Sequence, residues 1–71
     1  MGFKITAIIC GSEFSAKAET IAEAYERIRS ILNNRGDDDF NILSEYMLIL
    51  CNMSGDGPMS YEKSFLRIEK I

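Results

Sequence analysis

Seventy-one residues, 46% hydrophobic and 27% charged, with five Gly and one Pro, have the make-up of one small globular domain and exclude a disordered or fibrous chain. With no His and two Cys, the chain cannot supply Ser-His, Cys-His or His-metal chemistry or a structural zinc site by itself. Its formal net charge of −3 sets an overall field that repels polyanions, which disfavours nucleic acid as a partner.

The first predicted element is a hairpin over 3–18, with a two-residue turn at Gly11-Ser12. That register sets Cys10 opposite Glu13, Ile9 opposite Phe14, Ala7 opposite Ala16 and Ile5 opposite Ala18. One face then carries Phe3, Ile5, Ala7, Ile9, Phe14, Ala16 and Ala18, all apolar. The other carries Lys4, Thr6, Ile8, Cys10, Glu13, Ser15 and Lys17. A one-residue slip would scramble both sets. A rival reading begins the helix near Ser15 and leaves a βαββ domain.

Next comes a helix whose start is marked by Thr20-Ile21-Ala22-Glu23, a capping box. Ile21, Ala24, Tyr25, Ile28, Ile31 and Leu32 recur at three- and four-residue spacing and form the stripe that covers the hairpin's apolar face. Glu23 and Arg27 make an i, i+4 pair on the solvent side. Asn33-Asn34-Arg35-Gly36 reads as a helix stop, and Asp37, Asp38 and Asp39 as a surface loop.

Met47 to Cys51 is continuously apolar within the run 46–52, which predicts a strand buried on both faces, inside the sheet or at an interface. The cluster Ser54-Gly55-Asp56-Gly57-Pro58 is a turn, and the alternation over 61–69 predicts a fourth strand closing a second hairpin. In that strand Leu66 and Ile68 face the helix, and Tyr61, Lys63, Phe65, Arg67 and Glu69 face away. The expected fold is therefore α+β, a ββαββ domain over 1–71 with a four-stranded, largely antiparallel sheet and one helix on one face.

A single helix leaves the opposite sheet face uncovered, with Ile8, Tyr61, Lys63, Phe65 and Arg67 as the expected interaction face. A core of this size leaves roughly 3 to 5 kcal/mol of net stability, so association is expected, with the same chain or with a larger protein. An enzyme pocket of about 300 to 1,000 Å³ is a large hollow for such a domain, and no enzyme activity or cofactor is expected. Two other readings compete. Tyr61, Lys63, Phe65 and Arg67 interleave aromatic and basic side chains as a nucleic-acid-binding sheet would. Glu19, Glu23, Glu26, Asp37, Asp38 and Asp39 form an acidic surface of the kind that blocks a basic-grooved protein such as a nuclease.

Several motifs fail on inspection. The calcium-loop spacing begun by Asp37, Asp38 and Asp39 has Ile42 where Gly is needed and Leu48 where a bidentate Glu belongs, so no metal site is expected. Ser54-Gly55-Asp56-Gly57 lacks the Lys-Ser/Thr of a phosphate loop. Met1-Gly2-Phe3-Lys4-Ile5-Thr6 fits the letters of a myristoylation pattern but reads better as strand. With no apolar run near the ~20 residues of a membrane span and no paired cysteine spacing, a cytoplasmic protein with reduced thiols is expected. A Cys10–Cys51 bridge would require the first and third strands to be neighbours.

Overall fold

The computed structural model describes residues 2–71, so Met1, the first letter of the lipidation pattern, lies outside the described residues. The elements run β1 (Phe3–Ile9), β2 (Ser12–Ala18), α1 (Ile21–Asn34), α2 (Phe40–Ser54), β3 (Ser60–Lys63) and β4 (Leu66–Lys70). The four strands form one antiparallel sheet in the order β2-β1-β4-β3. The class is α+β as expected, but the architecture is ββααββ, with two helices where the sequence predicted one.

The first hairpin forms, and the rival helix over 15–18 does not. Its turn is Cys10-Gly11, one residue earlier than expected, with φ +52° and +80°. Two positive φ values are the signature of a type I′ turn, whose twist matches that of the strands it joins. The pairing consequently slides by two, to Ile9↔Ser12, Ala7↔Phe14, Ile5↔Ala16 and Phe3↔Ala18. Because side chains alternate with period two, an even slide keeps every residue on its predicted face.

Helix α1 begins as read. Thr20 accepts a hydrogen bond from the Glu23 amide at 3.1 Å, while the Glu23 carboxylate turns to Arg27 at 3.9 Å rather than back to the cap. It ends in a Schellman motif: Gly36, at φ +74°, donates to the Asn33 carbonyl and Asp37 to that of Leu32. Ala24, Ile28 and Leu32 are buried and Ile21, Tyr25 and Ile31 half-buried, so the predicted stripe is the packed one.

Residues 46–52 belong to α2, and the strand expected there is corrected. Asp39, placed in a loop by its sequence, is the N-cap, its carboxylate accepting from the Asn41 amide at 2.7 Å. Leu43, Tyr46, Leu50 and Met53, at helical spacing, enter the core. The turn cluster 54–58 joins α2 to β3. The second hairpin spans 60–70, so the stretch 61–69 expected to be one strand is two, turning at Ser64-Phe65, where Ser64 has φ +56°.

Both helices lie on one side of the sheet. There Ile5, Ile28, Leu50, Met53, Leu66 and Ile68 are fully buried in one cluster. Strands β1 and β4 are central, whereas β2 and the four-residue β3 are edges.

Candidate interaction surfaces

The uncovered sheet face is polar. It presents Lys4 and Ile8 of β1, with Thr6 buried between its neighbours, Glu13, Ser15 and Lys17 of β2, Arg67 and Glu69 of β4, and Ser60 and Glu62 of β3. Three cations and three carboxylates balance there: Lys4 lies across from Glu69, and Arg67 pairs with Glu62 at 3.3 Å. Ile8, 49% exposed, is its one large apolar side chain among the described residues.

Of the expected interaction face, Ile8 and Arg67 stand where they were placed, and Tyr61, Lys63 and Phe65 do not. A two-residue turn at 64–65 resets the alternation, so Tyr61 and Lys63, paired with Ile68 and Leu66, lie on the helix side. Lys63 reaches Glu45 on α2. Phe65 packs against the core, with the Arg35 guanidinium 4.3 Å from its ring centroid. The aromatic and basic interleaving that suggested base stacking is therefore split between two sides of the sheet.

The six acidic residues also divide. Glu23, Glu26 and Asp37 pair with Arg27, Arg29 and Arg35 at 3.9, 3.7 and 3.5 Å, and Asp39 caps α2. Glu19 and Asp38 remain exposed on separate loops. Cys10, expected across from Glu13, sits in the first turn, and Cys51 lies on α2 instead of a third strand. Both thiols are free and exposed. Gly2 donates to the Ile71 carbonyl, and a Cβ there would approach the Ala18 carbonyl oxygen to 2.8 Å, so close packing accounts for that glycine.

Of the exposed large hydrophobic side chains, Ile8, Phe14, Met59 and Ile71 are scattered, whereas Phe40 and Leu48 share the helix α2. Its single charged residue is Glu45, and Asn41, Glu45 and Asn52 form a narrow polar line. Beside the core-facing stripe runs a second one, Phe40, Ser44, Met47, Leu48 and Cys51, at spacings i, i+4, i+7, i+8 and i+11. Phe40 is 80% and Leu48 71% exposed. From the sequence Leu48 stands in the apolar run and at the failed twelfth position of the calcium-loop spacing, and Phe40 is in no candidate site. The signal that could have found them is an apolar pattern continuing around a helix whose core stripe is already complete.

Where α2 meets β3, two groups hold their protons beyond the ordinary range. Burial raises the Tyr46 phenol above its usual value, and the hydrogen bond to Glu45 raises the Lys63 ammonium. The unfolded chain loses these protons first, so their contribution is fully present below about pH 10 and is lost as pH rises past that. Urea unfolding is expected to show stability falling as pH rises above about 10, with a shallower fall in Tyr46→Phe. An equally steep fall in that variant would remove Tyr46 from the account.

No helix among the described residues is long and apolar enough to cross a membrane. Comparison of the chain with known protein families, curated proteins and solved structures finds no match.

Proposed function

We propose that this chain is a small non-enzymatic interaction module that binds a larger protein by seating the outward stripe of α2 in an apolar groove. The observation that carries the reading is the exposure of Phe40 and Leu48 on a helix with one charged residue. Covering such a side chain contributes about 1.5 to 3 kcal/mol. Phe40, Met47 and Leu48, at i, i+7 and i+8, lie on one side of the helix, as the apolar anchors of a groove-bound amphipathic helix do. The uncovered sheet face, with balanced charges and one large apolar side chain, offers far less surface of this kind.

The test compares wild type with Leu48→Asp as bait in a lysate of the source cells, followed by purification and titration of the retained protein. Binding is expected to weaken by about 10- to 100-fold in Leu48→Asp, with the helical circular dichroism unchanged. Equal binding by both baits, or no retained protein with either, would overturn the assignment of α2.

A further inference from the structure

The β2 edge carries a pattern complementary to itself, and we infer that two copies of this chain pair along it, antiparallel, about a two-fold axis at Ser15. Seven residues long, β2 is the extended edge of the sheet, without Pro; the opposite edge, β3, has four.

Backbone direction fits. Ile8 donates its N–H to Phe65 on the β4 side, so even-numbered residues of β1 bond away from β2 and odd-numbered ones toward it. Their β2 partners Ser12, Phe14, Ala16 and Ala18 thus use their backbone groups within the hairpin. Glu13, Ser15 and Lys17 aim theirs at the open edge. An antiparallel pair centred on Ser15 joins these outward residues to one another, Ser15 to Ser15 and Glu13 to Lys17 twice, and closes six backbone hydrogen bonds.

Charge selects this register from its neighbours. A centre at Glu13 or at Lys17 sets like charges opposite, and a centre at Ala16 sets Glu13 against Glu19. A centre at Phe14 stacks the two phenyl rings and leaves Lys17 beyond its counter-charge. Only the Ser15 centre gives both Lys17 residues a Glu13. Within one chain Lys17 lies directly across from Lys4, a destabilising like-charge pair, and neither Glu13 nor Lys17 has an ion-pair partner among the described residues.

Shape agrees on the other side of the strand. Phe14 is 59% exposed on the helix side of the sheet. Between β2 and α1 lies a groove of about 370 Å³ lined by Ile5, Ala16, Ile31 and the chain's own Phe14, together with Glu23 and Arg27. The inferred register sets the partner's Phe14 opposite Ala16, so each ring enters the other copy's groove above a small residue. The pairing is isologous and closes on itself.

Sedimentation equilibrium at low ionic strength tests the inference independently of α2. Wild type is expected to dimerise, and Glu13→Lys or Lys17→Glu alone to raise the dissociation constant at least tenfold, since each sets like charges opposite twice. The double exchange, and an equimolar mixture of the two single variants, should return to within about threefold of wild type. Ser15→Pro, which removes an N–H aimed only at the open edge, should give a folded monomer. Wild type that stays monomeric to millimolar concentration overturns the inference, as does a dimer indifferent to Ser15→Pro. A dimer lost in Leu48→Asp but kept in the β2 variants would place the second copy on α2 instead.

Discussion

Leu50→Ala is expected to cost about 2 to 5 kcal/mol, as truncation of a fully buried leucine does, and to leave the chain largely unfolded given a net stability of roughly 3 to 5 kcal/mol. Leu48→Ala, two residues away, is expected to change stability by no more than about 0.5 kcal/mol, because its side chain already meets water. In a strand, residues two apart share a face and respond alike; on α2 they lie on opposite sides. Urea denaturation of the two variants distinguishes these cases, and similar losses at both positions would count against the helix. The contrast also separates the two duties of α2, since Leu50 holds the fold and Leu48 is offered to a partner.

Gly57→Ala is the second change with a large expected effect. A Cβ at Gly57 would sit 2.3 Å from the carbonyl oxygen of Asn52 and 2.7 Å from its carbonyl carbon, both backbone atoms of the last turn of α2. That same oxygen accepts the Gly57 N–H at 3.0 Å, so the loop is drawn against the helix end by the bond that leaves no room for a methyl group. Relieving the clash must break the bond or shift the turn, at about 1 to 3 kcal/mol. Thermal unfolding should move down by about 4 °C or more, while Asp56→Ala, exposed next door, should stay near wild type. Equal melting temperatures for the two variants would contradict the close approach.

The residues of the first hairpin and of α1 announce their structure because several local signals coincide there. Alternation fixes the faces of β1 and β2, and Thr20 and Gly36 mark the two ends of α1. The turn itself was off by one position, since Gly11 satisfies either a turn that begins with it or one that ends with it. Residues 47–51 misled for a physical reason: a short continuous apolar run suits a buried strand and a buried helix equally. Two features favoured the helix, the richness in Leu and Met over β-branched residues and the spacing of Leu43, Tyr46, Leu50 and Met53.

The misplacement of Tyr61, Lys63 and Phe65 has a single origin at Ser64. A residue at φ +56° with a serine side chain is no strong turn signal, yet its turn breaks the alternation and puts the residues before it on the side opposite to the one a continuous strand would give them. From that point every outward assignment before the turn changed sides, while Leu66, Ile68 and Arg67 after it kept theirs. The expectation of an uncovered apolar surface rested on the same run that became α2, and the surface moved with it from sheet to helix. The self-complementary pattern on β2 could be written down from the sequence. What the sequence lacked was the strand order that leaves β2 at an edge.

Central pairing of β1 with β4 gives the fold a mechanical character distinct from its thermal stability. Gly2 and Ile71 bond to each other at 3.2 and 3.0 Å, at one end of that antiparallel ladder. Tension applied between them would peel β1 from β4 one bond after another, from Phe3 and Lys70 toward Ala7 and Leu66, instead of shearing all the bonds together. The seam through the middle of the sheet is thus its easiest line of parting under load, and it would release two intact hairpins before either one had to open.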